Sequence, residues 1–520
     1  MARTTKTTDP EGAKVSASRK PAKRTAKRRP KRSENRPEAP RLPALPPSKH
    51  KTEALALVER HAGARDDWIA RNAYHYQREF EYMRFLVPDG ASVLELGCGT
   101  GRLLAELRPG RGVGVDFSPA MIEIAKTNYP DHDFIVGDVE DPNLLADLTG
   151  PFDYIVLHDT IGWLDDCQTT LANLHALCHH DTRIVVVYYS KIWEPTLKFA
   201  EAIGTRMPQP ELNWLTSADI LNLLHLADFE PIKREWRMLV PKRLLGLGTL
   251  INRFIAPIGG IRRLCLRHYV VARPMRSVAP EELSASVVVP CRNERGNIEP
   301  AVERLPKFTD ELEIIYVEGG SSDGTYEECK RVKAAHPDRD IKVFKQPGKG
   351  KGDAVRKGFA EAKGDVLFIL DADLTVPPED IPKFHYAIAS GKGDFINGTR
   401  LVYPMQPGAM RVLNYWANRT FARIFSWLLN QRFTDTLCGT KVLRAEQYAR
   451  IAADRDYFGD FDPFGDFDLI FGAAKQNLKI IEVPVRYADR SYGETQISRF
   501  SHGWLLIRMV VFAFRKLKAF

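Results

Sequence analysis

A chain of 520 residues is too long for one hydrophobic core, so two or three domains are expected. Its composition, 44 % hydrophobic, 10 % aromatic and 27 % charged, is that of a globular protein rather than a fibrous or wholly disordered one. The net charge of +9 is localised: residues 1–50 hold 15 Lys/Arg against 4 Asp/Glu, and the rest hold 60 against 62, a near-neutral balance that speaks against nucleic acid as the partner of the folded part.

That basic tail is rich in Lys, Arg, Pro, Ser and Thr and nearly free of large apolar residues, so it is expected to be disordered. It has no apolar core of a secretory signal. Weak attraction to anionic lipid or to nucleic acid, or a merely solvated extension, all suit it. Seven cysteines without paired spacing point to reduced thiols and a cytoplasmic protein. The longest apolar run, GWLLIRMVVFAF (503–514), is short and interrupted by Arg508, so membrane association is expected to be peripheral.

From 51 to 275 strands alternate with helical patterns: SVLEL (92–96), GVGV (112–115), DFIV (133–136), YIVL (154–157), RIVVVYY (183–189), FEPIKREW (229–236) and RHYVVAR (267–273). A parallel sheet covered on both faces follows, with an antiparallel finish. After the first strand comes Glu95-Leu-Gly97-Cys-Gly99-Thr-Gly101, whose glycines let backbone approach a ligand at a helix start. The second strand ends at Asp116, where a carboxylate can take two ribose hydroxyls, and the third is followed by Gly137-Asp138-Val139, which suits an adenine edge.

These three turns, in order, resemble the class I S-adenosylmethionine-dependent methyltransferases over roughly 85–275. The resemblance implies a Rossmann-like sheet with methionine contacts near Glu95–Gly101, including Gly97 and Gly99, ribose at Asp116, and adenine at Asp138 and Val139. His158 and Asp159, in FDYIVLHDTIGWL (152–164), are candidates to orient or deprotonate a methyl acceptor, or simply to cap a loop. Segment 71–88 is either a lid carrying Tyr74 and Tyr76 or a helix packed on the sheet. Segment 241–268 mixes Leu, Ile and Phe with Lys242, Arg243, Arg253, Arg262 and Arg263, which suits a membrane-surface segment or a helix docked on the second half.

A short linker, 276–284, precedes a second α/β pattern over 285–500. ASVVVPCRNERGNI (285–298), LEIIYVEGGSSDGT (312–325) and GKGKGDAVRKGFAEAKGDVLFILDADLTVPPEDI (348–381) follow one another. In the last, Asp371 and Asp373 stand at the end of a buried strand, where two carboxylates can hold a divalent cation against a departing diphosphate. A Gly-Lys repeat at 348–352 can bring Lys349 or Lys351 to phosphates.

This order resembles the inverting glycosyltransferases of family 2, with a GT-A fold. The resemblance implies a nucleotide pocket of Pro290, Glu294, Glu318 and Lys351, Asp371 on the nucleotide sugar, and Asp373 on Mg²⁺ or Mn²⁺. Many relatives have two consecutive acids where this chain has Glu318-Gly319, so the donor's base stays open. On the acceptor side, NGTRLVYP with Arg400, LCGTKVLR and FGDFDPFGDFDLIFGAA align with family elements. If the acceptor is a hydroxyl, Asp466 or Asp468 is the candidate base; an anionic lipid phosphate requires none. Arg486, Arg490, Ser498 and Arg499 resemble the phosphate-gripping loop of dolichyl- and polyprenyl-phosphate sugar synthases, with Gln496 replacing that loop's lysine. Helix-like segments 411–433 and 501–520 suit either an anionic membrane surface or a core.

The order of the halves resembles a group of bacterial bifunctional proteins. The expectation is a cytoplasmic enzyme, peripheral to the inner face of the membrane, that moves a sugar from a nucleotide sugar to a polyprenyl phosphate or glycan hydroxyl and methylates a related substrate. The alternatives are a glycosyltransferase whose first domain only binds S-adenosylmethionine or docks, and an RNA methyltransferase anchored by its tail.

Overall fold

A computed structural model describes residues 48–210, 212–275, 280–402, 412–455, 467–485, 487, 492 and 499–518. Residues 1–47 of the basic tail lie outside the described residues, which all belong to one compact unit. Helix Lys49–His61 opens it, capped by Ser48, whose Oγ accepts from the Lys51 amide at 3.1 Å. Helices Arg65–Arg71 and Ala73–Leu86 follow.

The first sheet contains β1 (Ser92–Leu96), β2 (Arg111–Asp116), β3 (Asp133–Val136), β4 (Phe152–His158), β5 (Cys178–Tyr189), β6 (Phe229–Arg237) and β7 (Arg267–Pro274), in the order β3-β2-β1-β4-β5-β7-β6. β1 to β5 run parallel, and β7 runs antiparallel to both β5 and β6. Each central strand is apolar on both sides because both faces are covered. Ile155 and Leu157 enter one core layer, while Tyr154 and Val156 enter the layer beneath helix Ala73–Leu86. The order reverses between β1 and β4, which opens a crevice at their carboxyl ends.

The second sheet contains β8 (Ala285–Cys291), β9 (Leu312–Glu318), β10 (Asp340–Lys345), β11 (Val366–Ile369), β12 (Phe395–Thr399), β13 (Lys441–Arg444) and β14 (Ile480–Pro484), in the order β10-β9-β8-β11-β13-β12-β14. β10, β9, β8 and β11 are parallel; β13 is antiparallel to β11 and β12. The strand ends that carry Pro290, Glu318 and Asp371 therefore lie side by side at one edge.

Helices Val412–Leu429 and Arg499–Leu517 are not detached from this half. Phe425, Leu428 and Leu429 of the first, and Leu506, Met509, Ala513 and Leu517 of the second, enter its core. Segment 241–268 docks on them: the Trp427 indole donates to the Pro257 carbonyl at 2.9 Å, and Phe254 lies 6.5 Å from Phe514, ring centre to ring centre.

The halves are tied by buried charge. Arg183 of β5 and Arg273 of β7 are neighbours across the ladder, a like-charge pair that would repel. Asp394, just before β12, lies between them: Oδ2 accepts from Arg183 Nη2 at 2.7 Å and Oδ1 from Arg273 Nη1 at 2.9 Å. Arg183 Nε also donates to the Asn477 carbonyl at 2.8 Å, and Asn477 Nδ2 to the Leu86 carbonyl at 2.8 Å. Burial alone would raise the Asp394 pKa, but the two guanidiniums hold it below the usual value. Its stabilising contribution is thus complete at neutral pH and is lost as pH falls through that depressed value. Asp394→Ala should leave buried Arg183 without its paired carboxylate and Arg273 with Glu230 alone, and lower unfolding stability by about 3–5 kcal/mol in urea titrations. Glu379→Ala, which breaks an exposed pair with Arg304, should cost less than about 1 kcal/mol.

Candidate active sites

The crevice of the first sheet is a cavity of about 280 Å³. Gly97, Gly99, Asp116, Asp138 and Val139 line it, together with Phe117 and Met121. Gly99 has φ +53° and no atom within 4 Å of where a Cβ would stand, so its backbone faces open space. Gly97 is required for a different reason, since a Cβ there would meet Thr160 Oγ1 at 2.4 Å. Gly101 packs rather than lines: its Cβ would strike the Phe134 ring at 2.6 Å. Asp116 accepts from the amides of Gly99 at 2.8 Å and Ser118 at 3.0 Å, which fixes the turn against the second strand. Lys51, from the opening helix, pairs with Asp138 and Glu140.

Glu95 lies behind this lining and is 2 % exposed. Its Oε2 has no hydrogen-bond partner, and burial pushes its pKa up to about 8 against the pull of His158. A buried carboxyl with one oxygen unpartnered, beneath a glycine turn, suits a cofactor with a cationic amino acid part, and the open Gly99 backbone suits close approach of that part. The residues present therefore fit S-adenosylmethionine.

On the far side of the cavity are Arg65, Trp68, His75, Tyr76, His158, Asp159 and Tyr189. Tyr76 is thus a wall of the cavity, whereas Tyr74 accepts at its hydroxyl from Asn252 Nδ2 at 3.1 Å. His158 and Asp159 belong to a buried cluster around Glu79 and Arg267. Arg267 donates from Nε to Glu79 Oε1 at 2.5 Å and from Nη1 to Asp159 Oδ1 at 2.6 Å; His158 Nε2 stands 3.2 Å from Glu79. Burial opposes the charged forms of both Glu79 and His158, yet the net shift is down for Glu79, chiefly through Arg267, and up for His158, chiefly through Glu79. Asp159 is held at φ +61°, a left-handed conformation that aspartate tolerates better than most non-glycine residues.

In the second half Lys351, first residue of helix Lys351–Glu361, places Nζ 2.6 Å from Asp371 Oδ1. Burial would raise the Asp371 pKa, but Lys351, aided by Lys441 and Arg400, holds it below the usual value. Asp373 Oδ1 accepts from the Thr375 amide at 3.1 Å and hydroxyl at 2.8 Å. Both acids are only part-buried, between buried Leu370, Ala372 and Leu374. Two part-exposed carboxylates fit a divalent cation that takes its remaining ligands from a diphosphate. Gly439 closes against them: a Cβ there would lie 1.8 Å from Asp371 Oδ2 and 2.6 Å from Lys351 Nζ.

The loops after β8 and β9 are stitched together. Asn293 Oδ1 accepts from the Ser322 amide at 2.9 Å, and Asp323 accepts from the amides of Arg295 at 3.2 Å and Thr325 at 3.0 Å. Buried Glu294 accepts from Asn297 Nδ2 at 2.7 Å, and Glu318 from the Ser321 amide. Pro290 is half-buried near the end of β8. At Gly319 a Cβ would meet only the tip of the Gln346 side chain, Oε1 at 2.9 Å.

Arg400 is committed to Asp435, donating from Nε at 2.7 Å and Nη2 at 3.0 Å; Asp435 is fully buried, and despite burial this guanidinium brings its pKa down to about 2. Asp468 faces Arg356 at 3.9 Å, on the helix that begins with Lys351. Asp466, Arg486, Arg490 and Ser498, and the side chain of Arg499, lie outside the described residues.

Comparison with known proteins assigns a family model to each half. Residues 68–234 match the family model for a methyltransferase domain, and residues 286–446 that for glycosyl transferase family 2. The chain joins a methyltransferase domain to a family 2 glycosyltransferase domain. A dolichol-phosphate mannosyltransferase of Pyrococcus furiosus is 39 % identical over 122 residues, 23 % of this chain and 34 % of that protein. An undecaprenyl-phosphate mannosyltransferase of Micrococcus luteus is 27 % identical over 222 residues, 41 % of this chain and 86 % of that one. This chain spans 34–52 % of the length of three of its curated relatives. A solved SAM-dependent methyltransferase of Thermotoga maritima, a possible histamine N-methyltransferase, aligns with 42 % of this chain and 99 % of its own at 18 % identity and a TM-score of 0.34, too slight to carry argument.

Sequence reasoning on the methyltransferase domain missed Arg65, Glu79 and Arg267. An arginine inside an apolar strand, as in RHYVVAR, was the available signal for the last. In the glycosyltransferase domain it missed Gly439, whose need is set by a distant side chain.

Two tests follow from this geometry. Gly439→Ala should force Asp371 from Lys351 and reduce sugar transfer about a hundredfold, with thermal stability nearly unchanged. Because the folded-state pKa of Glu95 is raised to about 8, the native protein binds the extra proton, and its stabilising effect is lost as pH rises from the ordinary carboxylate range through 8. Relative to wild type, Glu95→Gln should therefore gain about a few kcal/mol in urea unfolding between pH 5 and about 8, and none beyond.

Proposed function

We propose that the glycosyltransferase domain moves a sugar from a nucleotide sugar to a polyprenyl phosphate, and that the methyltransferase domain methylates this product or a related compound. The observation that carries the first part is the Lys351–Asp371 pair at 2.6 Å beside Asp373, all at the carboxyl ends of parallel strands. The two polyprenyl-phosphate mannosyltransferases among the relatives support the acceptor class. Transfer inverts the anomeric carbon by in-line attack. Asp371, kept ionised by Lys351, orients the nucleotide sugar. Asp373 and the diphosphate would hold Mg²⁺ or Mn²⁺, which offsets charge on the leaving group. A phosphate acceptor arrives already anionic, so Asp466 and Asp468 need not act as bases.

In the other domain, Asp116 would take the ribose of S-adenosylmethionine, Asp138 and Val139 its adenine, and the turn around Gly99 its methionine part. The bound sulfonium supplies an electrophilic methyl group. Positioning then accounts for most of the rate, with Asp159 held by Arg267 and His158 by Glu79 against the acceptor.

Among the described residues, no helix is long and apolar enough to cross a membrane. We place the reaction at the inner face of the cytoplasmic membrane, with the protein peripherally bound.

Purified protein with radiolabelled nucleotide sugars and polyprenyl phosphate should yield a metal-dependent glycolipid. Asp373→Ala should lower that yield about a hundredfold or more while S-adenosylmethionine binding persists; Gly99→Val should do the converse. Asp468→Asn should leave transfer to a lipid phosphate unchanged, and a large loss would point to a hydroxyl acceptor. Tight S-adenosylmethionine binding without turnover on any glycolipid would reduce the first domain to a cofactor-binding module.

A further inference from the structure

The apolar surface of this protein is concentrated where the two domains meet. Leu244, Leu245, Leu247, Leu250 and Phe254 are each more than half exposed, and Ile258 is half exposed. Leu244 and Leu245 both have positive φ, 44° and 54°, so the backbone adopts a disfavoured conformation while holding Leu245 entirely in solvent. The helix Arg499–Leu517 adds a second apolar strip. Its inner face enters the core, while Trp504, Ile507 and Val511 stand exposed at a spacing of three and four residues, on one side. Contact between Phe254 and Phe514 makes the two strips neighbours.

Charge indicates what covers this surface. Residues 241–268 contain six Lys/Arg and no Asp/Glu, and residues 499–520 contain five and none. Lys242, Arg243, Arg253 and Arg263 are exposed among the leucines, and Arg508 and Arg515 beside the helical strip. Large apolar side chains interleaved with cations, with no acid in either segment, match an interface whose interior is hydrocarbon and whose headgroups are negative. The surface also adjoins a site: Pro241 and Lys242 line the methyltransferase cavity, and the exposed leucines begin two residues later.

We infer that segment 241–264 of the methyltransferase domain and the outer face of helix Arg499–Leu517 form one surface that docks on an anionic lipid bilayer. This rests on the peripheral-membrane reading above and adds which residues enter the lipid and that both domains supply them. The two domains are thereby held against one membrane, with the methyltransferase cavity beside it.

The test is co-sedimentation of the full chain with vesicles of phosphatidylcholine alone or mixed equally with phosphatidylglycerol. Wild type should bind the mixed vesicles far more tightly. The double variants Leu245→Asp/Leu250→Asp and Trp504→Asp/Ile507→Asp should each weaken binding by about tenfold or more. The basic tail is the same in every variant, so the difference reports this surface. Because the altered side chains are exposed, melting temperature and S-adenosylmethionine affinity should stay at wild-type values; a variant that melts early is replaced by Leu245→Ser with Trp504→Ser. Wild-type vesicle binding by both double variants would overturn the inference. So would a wild-type dimer in light scattering that these variants separate while vesicle binding persists. Sugar transfer to a detergent-solubilised polyprenyl phosphate tells the two readings apart: its retention with vesicle binding lost supports this surface, and its absence in wild type counts against the function proposed above.

Discussion

Asp394 between Arg183 and Arg273 is the contact on which the arrangement of the two domains depends. Neighbouring guanidiniums on β5 and β7 would repel each other, and neither could be buried without a counter-charge. A carboxylate from the other domain satisfies both, and the Lys479 amide donates to the same carboxylate at 2.9 Å. This end of β5 and β7 is thus covered by the second domain. Two domains related by sequence to separate families become one compact unit.

Within that unit burial works in opposite senses at the two sites. Glu95 is buried with only the weaker pull of His158 and a backbone amide against burial, and is pushed up to about 8. Asp371 also feels burial, but Lys351 stands against it and keeps it ionised. One carboxyl is pushed toward its neutral form, and the other is held toward its charged form. Arg267 and Glu79 extend the logic: a fully buried guanidinium is tolerated because two carboxylates meet it.

The strands and turns were legible because their signals are local. Seven expected strands of the first sheet match the observed ones closely, since each is an apolar run bounded by turn residues. The glycine turn at 97–101 and the acids at 371 and 373 could be read for the same reason: strand, turn and ligand atoms lie within a few residues. Gly439 and Arg267 could not be read in this way. Each owes its role to a side chain tens of residues or more away, Asp371 for one and Glu79 for the other, and no local pattern encodes that meeting.

Segment 241–268 shows the same division. Its composition allowed either a membrane surface or a docked helix; Pro257 and Phe254 meet the second domain, while the neighbouring leucines face outward. By itself the sequence determined the two α/β sheets and the glycine and acid turns at their strand ends, because these follow from periodicity and spacing along the chain, and its motifs resembled those of two transferase families. Only the tertiary structure decided which acids are ionised, which arginines are structural and how the domains lock together. Those properties are set by burial and by charges brought close in space from distant positions.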